Sequence, residues 1–243
     1  MIERRVCIRV DGGSHSVVWD SVAEETQLEL HINGSLLRRA SLSPCHIREF
    51  VAGHLFSEGY IEALEDIAAL HIDVHLANVT LRPACGQKRA EKHTEHSEKT
   101  GRLAVRTDDV FRAMRMLLDS DAHRITGGFH RAGVFCEDGT AWMADDIGRH
   151  NAMDKAIGHC LLEHIDLSKV FVIMTSRVSS GLALKCSRAG IPILASRGAP
   201  TSLAVDIADD AGITLIGFVR GERMNIYTHE ERIADLALTG TSK

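Results

Sequence analysis

Residues 170–223 read VFVIMTSRVSSGLALKCSRAGIPILASRGAPTSLAVDIADDAGITLIGFVRGER. Three runs in this stretch, 170–174, 191–195 and 213–219, are apolar throughout and bounded by Ser, Gly or Pro, whereas 180–189 and 201–211 carry helical patterns. A strand buried on both faces has no side to turn to water, so uniform apolar runs alternating with helices predict a parallel sheet covered on both faces, an α/β fold. Just upstream, 108–118 reads as a helix, 129–136 and 141–147 as a hairpin around Glu137-Asp138-Gly139-Thr140, and 149–164 as another helix. In such sheets ligands gather at the carboxyl ends of the strands. The loops expected there, 175–179, 196–200 and 220–223, are rich in small, hydroxylated or basic residues.

The first hundred residues read differently. Stretches 4–10, 16–19 and 27–31 alternate apolar and polar, and Asn33-Gly34 is a two-residue hairpin signal ahead of 36–42, which predicts a small twisted sheet. Ser43-Pro44 opens a helix through about Ser57, with Ile47, Phe50, Val51, His54 and Leu55 on the face that packs on the sheet. Strand-like runs follow at 69–76 and 79–82. Residues 84–102, ACGQKRAEKHTEHSEKTGR, hold almost no apolar content and are expected to form a long polar loop of the kind that often carries function. The resulting division is an N-terminal β-rich part over 1–106, with its polar loop at 84–102, an α/β/α part over 107–235, and a tail over 236–243.

With 243 residues, 44% hydrophobic and 25% charged, the chain is long enough to bury a core without disulfides. No stretch approaches the roughly 18 apolar residues of a membrane span, and the start Met1-Ile2-Glu3-Arg4-Arg5 lacks the apolar core of a signal peptide, so a cytoplasmic, non-membrane setting is expected. A net charge of −5 argues against broad nucleic-acid binding. The cysteines at 7, 45, 85, 136, 160 and 186 include no C-x-x-C or zinc-ribbon spacing, so neither a disulfide scaffold nor a metal site is expected.

The chemistry concentrates on cations. Asp145-Asp146-Ile147-Gly148-Arg149-His150-Asn151 places an acidic pair at a strand end, a turn glycine, then Arg149 and His150 on the first turn of a helix, where free N–H groups and the helix dipole favour an anion. An ordinary solvated cap fits the same letters. Arg177, Arg197, Arg220 and Arg223 follow successive strands, and guanidinium forks pair with phosphate oxygens through two charge-assisted hydrogen bonds. Each alone is more ordinarily a surface ion-pair partner; their recurrence points to one binding edge. Phe218-Val219-Arg220-Gly221-Glu222-Arg223 is the sharpest instance, because Gly221 permits close backbone approach between two cations. His130, after Gly127-Gly128, is a structural histidine or a proton carrier beside the same pocket. His93 and His96 read as solvated, and Ser176, Ser179 and Ser180 read as helix caps, since no G-x-S-x-G elbow is present.

At these residues the chain resembles the formate dehydrogenase accessory sulfurtransferases, the FdhD/NarQ family. The resemblance runs through Glu58-Gly59, residues 126–132 and 145–155, Ser176-Arg177, Lys185, residues 190–192, 199–204 and 218–223, and Asn225-Ile226-Tyr227-Thr228, and so covers most of the chain. It implies a cytidine-deaminase-like three-layer α/β/α fold, a homodimer, and passage of sulfur from a cysteine desulfurase to the molybdenum cofactor before its insertion into formate dehydrogenase. It also implies that residues 218–223 contact the bis-molybdopterin guanine dinucleotide, for which GDP is a mimic. Deaminase chemistry itself is disfavoured. It needs zinc held by H-x-E and P-C-x-x-C segments, whereas the helix starts here read His150-Asn151-Ala152 and Ser176-Arg177-Val178-Ser179.

One departure matters. The family carries a C-x-x-C pair in the polar loop, one thiol of which holds the persulfide; here Cys85 stands alone, followed by Gly86. Cys85 is the candidate sulfur carrier, with Arg82 and Lys88 near enough in sequence to favour its thiolate. The alternative is a cofactor-binding chaperone without persulfide chemistry, and a weaker third reading is a nucleotide-processing enzyme. The other five cysteines are expected to be buried and inert.

Overall fold

The computed structural model describes residues 1–83 and 103–236; Cys85, His93, His96 and the rest of 84–102, together with 237–243, lie outside the described residues. The chain opens with β1 (Ile2–Asp11) and β2 (Ser14–Ala23), joined through Gly12-Gly13. Among the described residues these strands pair only with each other, so the sheet expected over the first forty residues divides into this ribbon and a separate sheet. Local alternation marks a strand without saying which sheet receives it. Directly opposite residues share a face, which puts Val6 with Trp19 and Ile8 with Val17 on one side. That side faces outward, with Ile8 68%, Val17 73% and Trp19 61% exposed.

The second sheet holds β3 (Thr26–Ile32), β4 (Ser35–Leu42), β5 (Ile67–Asp73) and β6 (Leu76–Leu81) in the order β4-β3-β6-β5. Asn33 and Gly34 both take positive φ, 49° and 81°, as the hairpin signal requires. The run 69–76 breaks where Val74 donates its N–H to the carboxylate of Asp73, so the strand turns there. Helix α1 (Ile47–Ser57) starts three residues later than Ser43-Pro44 suggests. Phe50, Val51 and Leu55 seal it onto the sheet with Leu28, Leu30 and Val79.

The remainder builds a six-stranded sheet from β7 (His130–Cys136), β8 (Ala141–Asp146), β9 (Val170–Met174), β10 (Ile193–Ser196), β11 (Thr214–Arg220) and β12 (Arg223–Thr228), ordered β12-β11-β10-β9-β7-β8. Strands β9, β10 and β11 are parallel, as their apolar runs predict. The hairpin β7–β8 and the unforeseen β12 join antiparallel, so the sheet is mixed. Alternate residues of β9 feed two cores. Val170, Val172 and Met174 meet α4 (Arg149–Leu162), α5 (Ser180–Ala189) and α6 (Ser202–Asp210), while Phe171 and Ile173 meet α2 (Thr107–Leu118). Leu103 and Val105 belong to the second of these cores. A short α3 (Asp121–Thr126), too brief for a periodic signal, precedes β7. Among the described residues no helix is long and apolar enough to cross a membrane.

The two halves meet where α1 crosses α4. A Cβ on Gly53 would overlap the carbonyl of Asp154, and one on Gly158 would overlap the carbonyl of Glu49. Only glycine lets the two backbones come this close. Gly53→Ala and Gly158→Ala should each lower stability by about 3 kcal/mol or more through overpacking that cannot relax, read as a fall in the denaturant midpoint. A loss under about 0.5 kcal/mol would contradict this crossing.

Candidate functional site: an arginine-lined rim of the large sheet

Parallel β9, β10 and β11 bring their carboxyl ends to one edge, and the antiparallel entry of β7 delivers His130 to the same edge. Arg131 donates its N–H to Thr175 Oγ1 at 3.0 Å, and Thr175 returns a bond to the Arg131 carbonyl. Register pairs His130 with Asp146, so β8 ends here too and α4 begins three residues on. Helices α4, α5 and α6 all start along this rim, with their free N–H groups and positive dipole ends facing it.

The strand-end loops stack backbone on backbone. A Cβ on Gly198 would come within 2.8 Å of the Ser176 carbonyl, and one on Gly217 within 2.8 Å of Pro200 Cδ. Ser196 donates to the Ser176 carbonyl and accepts from the Gly198 N–H at 3.0 Å. Phe218 sits at φ 55° where β11 shifts register against β12, and its N–H reaches the Gly198 carbonyl at 3.0 Å. This irregularity turns Arg220 back across the ledge: its Nε donates to the Arg197 carbonyl at 3.3 Å, and its guanidinium lies 5.6 Å from the Phe218 ring centroid. Gly221 and Glu222 form the exposed turn to Arg223, at φ 57° for the glycine. Val219 is different, because its side chain is fully buried in the α2 core and only its backbone belongs to the rim.

Arg177, Arg197, Arg220 and Arg223 are exposed, and none has a carboxylate partner among the described residues. Among the described residues the ion-pair reading of these four finds no support. By contrast Arg131, near the start of β7, is engaged with Asp145 at 3.3 Å. Arg149 is half-buried, and its Nε is buried without a hydrogen-bond partner among the described residues.

The segment 145–155 divides by helical face. Asp146 accepts from the N–H of Gly148 at 2.8 Å, from Asn151 Nδ2 at 3.0 Å and from the Ser43 N–H at 3.2 Å, and it pairs with Lys155 at 2.6 Å. Lys155 and Asp146 are both fully buried, and Lys155 also donates to the Ser43 carbonyl. Next along the helix, Asp154 faces the other way. Lys185 donates to its Oδ1 at 2.7 Å, Ser57 donates at 2.8 Å, and His54 Nδ1 lies 3.0 Å from its Oδ2. Burial opposes charge on Asp154, yet Lys185 and His54 prevail and hold its carboxyl below the usual range. These side chains weld α4 to α1 and α5. Only Arg149 and His150 are left for the rim.

His150 Nε2 lies 3.4 Å from Ser179 Oγ, with Gly181 close beside its ring. Ser179 is the N-cap of α5 but makes no side-chain cap bond, unlike the capping role its sequence suggests. Burial, then the positive charge of Arg149, pushes both His130 and His150 below the ordinary imidazole value. Both are therefore neutral at pH 7. Of the five described cysteines Cys160 and Cys186 are buried, with thiols pushed up to about 12; Cys7, Cys45 and Cys136 are only half-buried, which corrects the expectation that all five are buried. Sequence reasoning missed the two buried ion pairs, Asp146 with Lys155 and Asp154 with Lys185. Opposite charges inside an otherwise apolar helix, Ala152-Met153-Asp154-Lys155-Ala156-Ile157, were the available signal. Among the described residues no group of three or more His, Cys, Asp and Glu could hold a metal.

The model of the FdhD/NarQ family matches residues 23–234. The chain belongs to the FdhD/NarQ family. Its relatives include proteins named sulfur carrier protein FdhD from Geobacillus kaustophilus, 36% identical over 95% of this chain and 97% of that one, and from Methanothermobacter thermautotrophicus, 33% identical over 88% and 92%. One from Bacillus subtilis is 33% identical over 93% and 95%. Among solved structures, a protein from Desulfotalea psychrophila assigned as a formate dehydrogenase accessory protein superposes with a TM-score of 0.84 at 28% identity, covering 96% of this chain and 99% of that one.

Two tests address how this family member builds its rim. Lys155→Met strands the fully buried Asp146 carboxylate and should cost about 3–5 kcal/mol, whereas Arg177→Ala should stay within about 0.5 kcal/mol, both by urea denaturation. For His130 and His150 the folded state resists protonation more than the unfolded chain. Their contribution is whole above pH 6.5 and is lost as pH falls below it, because the unfolded chain takes up protons first. The double His→Gln variant should therefore lose less melting temperature than the parent between about pH 7 and pH 5; equal losses would refute the burial of these rings.

Proposed function

We propose that the chain is a sulfur carrier for formate dehydrogenase, taking sulfur from a cysteine desulfurase and passing it to the bis-molybdopterin guanine dinucleotide form of the molybdenum cofactor before insertion. The observation that carries this is the rim: four exposed arginines without acidic partners among the described residues, beside three helix N-termini. That donor set suits a diphosphate, since guanidinium forks and free backbone N–H groups both favour the anionic oxygens of phosphate groups. Arg220, Arg223 and Arg197 would hold one anionic end of the cofactor, the Phe218 ring would lie against a flat base, and Arg149 with its unpartnered Nε would meet a further oxygen. Neutral His130 and His150 offer hydrogen bonds without adding fixed charge.

Cys85 supplies the sulfur step in this reading. Its thiolate attacks the terminal sulfur of the desulfurase persulfide; a new S–S bond forms on Cys85, the donor S–S bond breaks, and the donor cysteine leaves as a thiolate. The reading carries with it a homodimer, a cytoplasmic setting, and a cytidine-deaminase-like arrangement of 107–235 behind an N-terminal part over 1–106. The layering of α2 on one face of the large sheet and α4, α5 and α6 on the other supports that arrangement. The second reading, a cofactor-binding chaperone, is favoured by the missing partner thiol three residues after Cys85.

Incubation with a desulfurase and cysteine followed by intact-mass measurement separates the two. A sulfur carrier gains about 32 Da, lost in Cys85→Ala, while a chaperone binds GDP and gains nothing. At the rim, Arg220→Ala and Arg223→Ala should each weaken GDP binding by about one to two orders of magnitude, measured by calorimetry. Unchanged affinity in both would remove residues 218–223 from the site.

A further inference from the structure

Arg38 stands on the inner face of the small sheet, where register sets it opposite the fully buried Leu30. It reaches the seam between the two halves, with Nη1 3.4 Å from His54 Nδ1. His54 lies 3.0 Å from Asp154, and one turn nearer the start of α4, on the same helical face, stands His150. Arg38 is half-buried and has no carboxylate within ion-pair distance among the described residues. Asp154 is already taken by Lys185 and His54, and Lys185 also holds Glu58 at 2.9 Å. Arg149 comes to the same seam from α4 with its Nε buried and unpartnered among the described residues, and its charge bears on both His130 and His150. Across from them α5 begins. Ser179 Oγ sits 3.4 Å from His150 Nε2 without capping its own helix, so the N–H groups of Ser180 and Gly181 have no intrahelical acceptor. A Cβ on Gly181 would press to 3.2 Å from His150 Nε2, so glycine keeps that space open.

Two guanidinium groups drawn partly out of water without a counterion are unfavourable until an anion completes them. Their donors, with the Ser179 hydroxyl, the neutral His150 ring and the free N–H groups of α5, converge from β4, α4 and α5, which suits an oxyanion that accepts from several sides. We infer that Arg38, Arg149, His150 and Ser179 form a second anion subsite, which takes the phosphate group of a monoester or orthophosphate itself. It is separate from the ledge of Arg197, Arg220 and Arg223, because β7, whose start faces α4, lies three strand spacings from β11, about 14 Å. The subsite needs neither Cys85 nor the sulfur step, and so goes beyond the reading above. Arg38 belongs to the small sheet and the other three residues to the larger half. An anion here therefore ties the two halves together.

Calorimetric titration of the full chain with sodium phosphate, at ionic strength held constant with sodium chloride, tests the subsite. The parent should bind phosphate and gain melting temperature with it. Arg38→Met keeps the length of the side chain and removes its charge; it should weaken phosphate binding by about tenfold and abolish the gain in melting temperature. Should that variant fail to fold, Ser179→Ala and His150→Gln carry the same comparison, each with a fall of about threefold. Repetition with saturating GDP identifies the source of the phosphate. Arg38-dependent binding that persists marks a phosphate from outside the nucleotide; its loss, together with weaker GDP binding by Arg38→Met, marks one of the nucleotide's own, and either result supports the subsite. Absence of phosphate binding in the parent overturns it, as does equal affinity in parent and Arg38→Met. Binding that falls in Arg220→Ala but not in Arg38→Met places the anion on the ledge and overturns it too.

Discussion

Everything in this molecule is referred to the crossing of α1 and α4. Two glycines, Gly53 and Gly158, bring the backbones into contact, and the space on either side is closed by charges taken out of water. Removing ions from water costs several kcal/mol each, so such pairs persist only with complete hydrogen bonding. Here the condition is met: the Asp154 carboxylate has Lys185, Ser57 and His54, and Asp146 has Lys155, Asn151, Gly148 and Ser43. The small sheet thereby becomes a buttress for the helix that carries Arg149 and His150. The rim is placed by residues that never reach it.

Much of the fold was legible because burial leaves a plain mark on strands. Val170, Val172 and Met174 face one core and Phe171 and Ile173 the other, so no position could be polar. Strand β12 left no such mark. It is an edge strand with one face open, its residues Arg223, Asn225 and Tyr227 are exposed, and a two-residue turn hides its start. Partition among sheets was equally hidden, since the alternation in β1 and β3 is alike and only tertiary contacts assign them to different sheets.

The position of these arginines was legible because apolar strand runs locate the loops that follow them, and Arg177, Arg197 and Arg220 sit at successive strand ends. What the sequence concealed was the division of labour within 145–155. Asp154 and Lys155 are adjacent in sequence, yet α4 turns one towards α1 and α5 and the other towards β8 and Ser43. A motif rich in charge looked like a ligand-facing surface because sequence spacing records a helical face without recording what lies across it. Val219 taught the same lesson in a strand, where alternation places it inward between Phe218 and Arg220.

The ribbon β1–β2 has a further consequence. Both outer borders of this strand pair offer rows of amide and carbonyl groups that no described strand engages, over a face bearing Ile8, Val17 and Trp19. Such borders are templates on which other chains can add themselves in register. The mixed charges of Arg5, Arg9, Asp11 and Asp20 on the reverse side act as gatekeepers against that growth. How well the protein behaves at high concentration is thus decided in its first two dozen residues, far from any chemistry it performs.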